Sequence, residues 1–225
     1  MNKFNLNRAR FSRLVWETLL DKVASHERGD LFAAAEKANA LRKLAFYNTG
    51  SISDASVFCT YAITKYFQPK HVAEVGTFIG RSTLALAYGM QNGRISTCDH
   101  SNDFRLLSSD LHSVSVEQFP RTSAEMMFKT LHEKVDMVYL DGRLSGSDLS
   151  ALIPIIKSDT IFALDDFEGI EKGVANTSAL FMQDSLARYR LIYPPENSLL
   201  QKYGLHDGCT IALLLPPESI EWTNQ

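Results

Sequence analysis

Short apolar runs alternate with stretches of helical spacing from Pro69 onward, and this alternation narrows the possible folds more than any other part of the chain. Apolar runs bounded by turn residues predict buried strands, and the segments between them predict helices. Repeated alternation is typical of a parallel sheet covered by helices on both faces. Seven strands are predicted, at residues 71–75, 95–98, 113–118, 135–140, 160–164, 191–193 and 210–215, with a long helix at 171–189. We therefore expect an α/β fold with a Rossmann-like, doubly wound, seven-stranded and mostly parallel sheet.

The first 68 residues follow a different pattern. Apolar side chains recur at helical spacing through residues 31–45 and 55–66, with Ser53 as a predicted N-cap and Pro69 just past the last helix. We expect residues 1–68 to form a helical cover on a core of residues 69–225. The turn at 47–53 is either a plain connection or part of the entrance to a site.

Composition limits the classes of function. The 225 residues include 23 Lys and Arg and 26 Asp and Glu, for a net charge of -3, which disfavours a globally basic binder of nucleic acid or membrane surfaces. Arg8, Arg13 and Glu17 interrupt the N-terminal segment, so it lacks the apolar core of a signal peptide, and no apolar run reaches the roughly 18 residues of a membrane span. The three cysteines are far apart and form no CxxC pair. We therefore expect a cytoplasmic protein with reduced thiols and neither a nucleic-acid nor a membrane partner.

The loop after the first predicted strand carries the clearest functional signal. Gly76 and Gly80 bracket a tight turn, and glycines there let backbone N–H groups approach a ligand closely. Asp99 ends the next strand, where an acidic side chain can accept both hydroxyls of a ribose. Phe78 stands where a dinucleotide fingerprint has its central glycine and would crowd a pyrophosphate, while Glu74 favours a cation over a phosphate. The pattern therefore favours a ligand that combines a ribose with a positive charge, such as S-adenosylmethionine.

On these residues the chain resembles the class I S-adenosylmethionine-dependent methyltransferases, and most closely the metal-dependent O-methyltransferases of the catechol and macrocin types. Their motif E-x-G-x-F/Y-x-G-x-S is present at residues 74–82. The resemblance implies that the loop contacts the methionine part of the cofactor, that Ser82 binds its carboxylate and that Asp99 holds its ribose. The cofactor-binding residues that it implies are Glu74, Gly76, Thr77, Phe78, Gly80, Ser82, Asp99, His100, Ser101, Ser123 and Asp141.

Three aspartates end predicted parallel strands at one edge of the sheet. Asp141 follows the strand at 135–140, and Asp165 and Asp166 follow the strand at 160–164. Clustered carboxylates repel one another unless a cation or a proton intervenes, and oxygen ligands suit Mg²⁺. The resemblance implies that all three are metal ligands and that Asp141 and Asp166 act in catalysis. The alternative is that some of them cap helices.

The general base of these relatives is missing from its usual place. They carry Lys or His three residues after the first metal aspartate, whereas this chain has Leu144 there, next to the permanently charged Arg143. Asp166 or His206 could serve instead, or the metal alone could lower the pKa of the substrate hydroxyl.

The sequence therefore predicts an S-adenosylmethionine-dependent methyltransferase that methylates a hydroxyl of a small molecule with the help of Mg²⁺ or another divalent cation. Two alternatives stay open. One is an NAD(P)-dependent reductase with a Rossmann core, and the other is a catalytically inactive protein that binds the cofactor. The N-terminal helices could also form the interface of a homodimer.

Overall fold

The computed structural model describes residues 3–41, 51–100, 111, 113–217 and 219. The strands are β1 (His71–Val75), β2 (Gly93–Asp99), β3 (Val114–Pro120), β4 (Val135–Leu140), β5 (Ile156–Leu164), β6 (Arg190–Ile192) and β7 (Ala212–Leu215). The α-helices are α1 (Lys3–Leu20), α2 (Ser25–Leu41), α3 (Asp54–Phe67), α4 (Arg81–Gly89), α5 (Ala124–Thr130), α6 (Gly146–Leu152), α7 (Ala175–Phe181) and α8 (Asn197–Leu200). Short 3₁₀ helices lie at Ile153–Ile155, Asp184–Leu186 and Gln201–Tyr203, and a π-helical turn lies at Ile170–Val174.

The strands form one seven-stranded sheet in the order β3-β2-β1-β4-β5-β7-β6. Strands β1 to β5 pair in parallel, whereas β7 pairs antiparallel with both β5 and β6. The predicted Rossmann-like, mostly parallel sheet is therefore confirmed. The chain runs outward from β1 to β3 and then returns to β4 on the other side of β1. Ligands of open α/β sheets bind at the carboxyl ends of the strands beside such a reversal.

Alternate side chains of each central strand face opposite layers of helices. Val72 of β1 and Met137 of β4 join a buried core with residues of α1 to α4. Ala73 and Val138, one position further along, join a second core with residues of α5, α6 and α7. Strands buried on both faces read as continuous apolar runs, which is why the sequence located them.

The helix α3 packs the N-terminal part of the chain onto the sheet. Its residues from Ala55 to Thr64 are all buried. Ser53 caps the helix as predicted, since its Oγ accepts the backbone N–H of Ser56 at 3.0 Å. At the other end Gln68 adopts a left-handed conformation and donates its N–H to the Thr64 carbonyl at 2.9 Å. In the part of the chain that the structure describes, no helix is long and apolar enough to cross a membrane.

The prediction of a long helix at 171–189 is wrong. The chain instead forms the π-helical turn at Ile170–Val174, then α7, then the 3₁₀ helix at Asp184–Leu186. Gly173 lies against the backbone of Phe167, so closely that a Cβ at this position would be 2.2 Å from the Phe167 Cα. This contact places the π-helical turn next to the chain that follows the end of β5.

Candidate active site

A cavity of about 650 Å³ opens at the carboxyl ends of β1, β2, β4 and β5, beside the reversal of strand order. Its inner wall comes from the loops that follow these strands, and its outer wall comes from residues 51–53 and the 208–210 loop. The residues that line it are Ser51, Ile52, Ser53, Gly76, Phe78, Asp99, His100, Asp141, Asp165, Asp166, Lys172, Gly208 and Thr210.

The loop between β1 and α4 is held in an unusual backbone conformation. Gly76 and Gly80 have φ values of 99° and 80°, and Phe78 has a φ of 44°. Residues other than glycine rarely adopt this region of backbone conformation. A Cβ on Gly76 would lie 3.2 Å from the backbone of Asp141, so the first glycine also permits close approach to the next loop. The backbone N–H of Phe78 donates to Asp99 Oδ2 at 2.8 Å. This bond joins the loop to the end of β2, and strain of this kind is concentrated at functional sites.

Three of the predicted cofactor-binding residues lie behind this loop and do not line the cavity. Glu74 is fully buried, and its two carboxylate oxygens accept the hydroxyls of Ser82 and Thr83, each at 2.5 Å. Burial raises the pKa of Glu74 to about 7. The hydroxyls of Thr77 and Thr97 are hydrogen-bonded to each other. The side chains of Glu74, Thr77 and Ser82 therefore fix the loop to the sheet and to α4.

The predicted residues around the adenine are more scattered. His100 lies exposed on the cavity wall, and Ser101 lies outside the described residues. Ser123 caps α5, with its Oγ accepting the backbone N–H of Met126 at 3.3 Å, and does not line the cavity. Gly80 is the N-cap residue of α4.

The three aspartates at the strand ends do lie together at the floor of the cavity. Asp165 is 3% exposed, and Thr210 Oγ1 donates to its Oδ1 at 2.6 Å. Asp166 follows with a φ of 50° and a half-exposed side chain. Burial, together with the charge of Asp165, raises the pKa of Asp141 to about 7. Their convergence follows from the common direction of β4 and β5.

A lysine that the sequence analysis did not single out joins this cluster. Lys172 Nζ donates to Asp141 Oδ1 at 2.9 Å and to Asp166 Oδ2 at 2.7 Å. Although burial opposes it, the negative charge of Asp141 raises the pKa of Lys172 well above its ordinary value. The predicted helix at 171–189 would have made this lysine one surface charge among several. The only signal in the sequence that could have identified it is its position between Gly169 and Gly173.

The predicted metal site is not supported. Among the residues that the structure describes, no group of three His, Cys, Asp or Glu side chains could hold a metal ion. The physical reason lies in the partners of the carboxylates, because Asp141 and Asp166 share the ammonium group of Lys172 and Asp165 accepts the hydroxyl of Thr210.

The outer wall is tied together by contacts between distant parts of the chain. Ser53 Oγ donates to the Gly208 carbonyl at 2.6 Å, and Asp207 Oδ2 accepts the backbone N–H of Asp54 at 2.7 Å. Arg81 Nη1 donates to the Ile52 carbonyl at 2.6 Å. Residues 51–53 of the predicted turn thus line the cavity, while residues 42–50 lie outside the described part of the chain. His206, one of the predicted bases, is exposed and does not line the cavity.

The residues after Asp141 brace the floor from the other side. Arg143 pairs with Glu171, their Nη2 and Oε2 atoms being 2.9 Å apart. Asn176 accepts the N–H of Leu144 at 2.9 Å and donates to the Gly142 carbonyl at 2.8 Å. Both contacts join the loop after β4 to the segment that carries Lys172.

Residues 73–167 match the family model of a methyltransferase domain. None of the curated protein sequences matches the chain.

Solved structures show the same fold at low sequence identity. The O-methyltransferase TomG from Streptomyces achromogenes, in complex with S-adenosylmethionine, is 16% identical with a TM-score of 0.60, over 81% of this chain and 89% of that one. An O-methyltransferase from Bacillus cereus, in complex with S-adenosylhomocysteine, is 14% identical with a TM-score of 0.55, over 92% of this chain and 99% of that one. A Podospora anserina methyltransferase bound to S-adenosylhomocysteine is 15% identical with a TM-score of 0.55, over 97% of each chain.

Proposed function

We propose that this chain transfers the methyl group of S-adenosylmethionine to a hydroxyl oxygen of a small molecule. The match of residues 73–167 to a methyltransferase domain supports this class of enzyme. The class of enzyme agrees with the resemblance drawn from the sequence. The observation that carries the choice of cofactor is the pairing of the loop after β1 with Asp99 above a floor of carboxylates.

The inner half of the cavity has the groups that this cofactor needs. Asp99 is oriented by the Phe78 N–H, and an acidic side chain at this position accepts the hydroxyls of a ribose. The methionine part lies over Gly76, where the absence of a side chain leaves room next to Asp141. Its sulfonium and ammonium groups are positive, and the nearby carboxylates stabilise them. His100 lies beside the adenine.

The same charges argue against a nicotinamide dinucleotide. Its pyrophosphate needs backbone N–H groups and positive charge near the glycine loop. Here Asp99 and Asp141 lie next to that loop, and Phe78 occupies the place of the central glycine. Bringing a pyrophosphate among these carboxylates would place like charges together at short range.

The outer half of the cavity receives the methyl acceptor. Residues 51–53, Gly208 and Thr210 form its wall, and Asp166 and Lys172 lie at its base. The acceptor oxygen attacks the methyl carbon in line with the carbon–sulfur bond, and the sulfur keeps the bonding electrons. Asp166, which is half-exposed, accepts the hydroxyl proton. The cavity contributes mainly by holding the two reactants in line.

Divalent-metal assistance has no place in this scheme, because the residues present do not fit a metal ion. The carboxylates predicted as ligands are already paired with Lys172 and Thr210. No step of the proposed reaction is therefore assigned to a metal.

Calorimetric titration with S-adenosylmethionine, S-adenosylhomocysteine and NAD(P) tests the choice of cofactor. We expect saturable binding of the first two and none of the dinucleotides. The change Asp99→Ala should weaken S-adenosylmethionine binding by about tenfold or more, since it removes the acceptor of two ribose hydroxyls. Asp159→Ala is the matched control, because Asp159 is exposed near the amino end of β5, away from the cavity.

Transfer itself is measured with methyl-labelled cofactor over a panel of hydroxylated acceptors. Equal affinity of the Asp99→Ala variant and the wild type for S-adenosylmethionine would show that the cavity has been assigned to the wrong ligand. Preferential binding of NAD(P) would favour a reductase instead.

A further inference from the structure

The ammonium group of Lys172 occupies the centre of the acidic cluster at the base of the cavity. It lies 2.9 Å from Asp141 Oδ1 and 2.7 Å from Asp166 Oδ2, so it contacts aspartates from the ends of two neighbouring strands. An ammonium group has three N–H donors, and in the described part of the chain the third has no acceptor. Lys172 also lines the cavity, so this third donor can reach a bound molecule.

Several contacts hold this lysine in place. A Cβ on Gly173 would overlap the Phe167 backbone, so the turn that carries Lys172 packs directly on the chain just after Asp166. The N–H of Val174 closes the turn on the Gly169 carbonyl at 3.2 Å. Glu171, the residue before the lysine, pairs with Arg143. The backbone that carries Lys172 is therefore held in place by packing, and the side chain, which is 37% exposed, is held by its two ion pairs.

Steric and electrostatic arguments both indicate that the position of Lys172 excludes a divalent metal ion. Mg²⁺ binds oxygen at about 2.0–2.1 Å in an octahedral shell and keeps several waters, so it cannot share Asp141 and Asp166 with an ammonium group already between them. Two like charges at such separations also repel strongly. Asp165 offers no simple alternative, because its Oδ1 accepts the Thr210 hydroxyl.

We infer that Lys172 is a built-in cation that takes the place of a divalent metal ion in this site and orients the acceptor oxygen through its third N–H donor. The part of the inference that concerns the acceptor oxygen rests on the proposed function, whereas the exclusion of a metal ion rests only on the contacts of Lys172. A fixed positive charge stabilises the negative charge that develops on the oxygen as its proton leaves for Asp166, which is the role a metal would otherwise fill. The chain therefore transfers methyl groups without a divalent cation.

Metal binding tests the inference without any assay of activity. Mn²⁺ is titrated into the wild type, the variants Lys172→Met and Lys172→Gln, and the control Lys157→Met, with detection by electron paramagnetic resonance. Lys157 is also paired with an aspartate, Asp136, but near the amino ends of β4 and β5. We expect no saturable binding by the wild type or by the control up to about 1 mM, the range of weak cation sites. Lys172→Met should bind Mn²⁺ at least about tenfold more tightly, because it leaves the carboxylates without a counter-charge.

Activity provides the second measurement. Methyl transfer by the wild type should be unchanged in excess chelator, and it should fall by about 100-fold or more in Lys172→Met while affinity for S-adenosylmethionine does not decrease. Lys172→Gln, which keeps a hydrogen-bond donor without the charge, should lose transfer as well.

Three results would overturn the inference: saturable Mn²⁺ binding by the wild type, loss of transfer in chelator with recovery on adding Mg²⁺, or no gain of Mn²⁺ binding in Lys172→Met and Lys172→Gln. Failure of the proposed function has a different signature, namely a wild type that does not bind S-adenosylmethionine at all.

Discussion

Replacing Gly173 with alanine should destabilise the protein and displace Lys172. The new Cβ would lie 2.2 Å from the Cα of Phe167 and 2.4 Å from its carbonyl oxygen, whereas ordinary contacts begin at 3.4 Å. Both contacts are with backbone atoms, so no side-chain rotation can relieve them. The turn at Ile170–Val174 must therefore move away from the end of β5 by about 1 Å, and Lys172 must move with it.

The size of the effect follows from the cost of overpacking. Forcing an extra carbon into a well-packed place typically costs about 1–3 kcal/mol, and contact with rigid backbone favours the upper part of that range. For a chain of this length, each kcal/mol lowers the Tm by about 2–4 °C, so a loss of about 2–3 kcal/mol corresponds to a fall of about 4–12 °C.

Thermal unfolding followed by circular dichroism measures this difference, with Gly29→Ala as the matched control. Gly29 lies in α2, where a Cβ would meet nothing within 4 Å, so alanine there should raise stability by up to about 1 kcal/mol. The same samples, titrated with Mn²⁺, report whether the ammonium group has left the carboxylates. A Gly173→Ala protein that melts within about 1 °C of the wild type would refute the reasoning, because the turn would then have room for a side chain.

Three further substitutions test buried and capping contacts of the fold. Burial raises the pKa of Glu74 from 4.5 to about 7, so the folded protein binds this proton more tightly than the unfolded chain and loses stability as the pH rises between those values. Across this window the free energy of unfolding of Glu74→Gln, measured in urea, should rise relative to that of the wild type by up to about 3 kcal/mol, and a difference that does not change with pH would contradict this. Trp16→Phe should cost about 1–3 kcal/mol in the same assay, because the fully buried indole donates to the Tyr193 carbonyl at 2.7 Å; unchanged stability would mean that this bond contributes nothing. Asp207→Ala should cost about 1 kcal/mol, since its carboxylate accepts the first backbone N–H groups of α3, and a neutral result would mean that Ser53 alone suffices as a cap.

The strands and the glycine loop could be predicted because their signals are local. A strand buried on both faces is mostly apolar, as β1 and β4 are apart from His71, Glu74 and Asp136, and such a run can be recognised without knowledge of the rest of the chain. Gly76 and Asp99 were recognisable because a left-handed turn and a strand end each restrict the residue type at one position. The parallel direction of the strands was then enough to bring three aspartates to one edge of the sheet.

The direction of individual side chains could not be predicted in the same way. Ser82 was expected to bind the cofactor, but from the first turn of α4 its hydroxyl donates to buried Glu74. Lys172 was missed because its position depends on a π-helical turn, and that turn depends on the contact between Gly173 and the Phe167 backbone. Contacts of this kind arise only when the chain is packed, and no spacing rule in the sequence encodes them.

The outer wall of the cavity has a consequence for the order in which the protein can be assembled. The hydrogen bond from Ser53 to Gly208 spans 155 positions of the chain, and the bond between Asp54 and Asp207 spans 153. The glycine loop and Asp99 are only about twenty positions apart and can pair early during synthesis on the ribosome. The contact between the glycine loop and the end of β2 can therefore form before the outer wall, which is complete only when residues 207–210 pack against the start of α3.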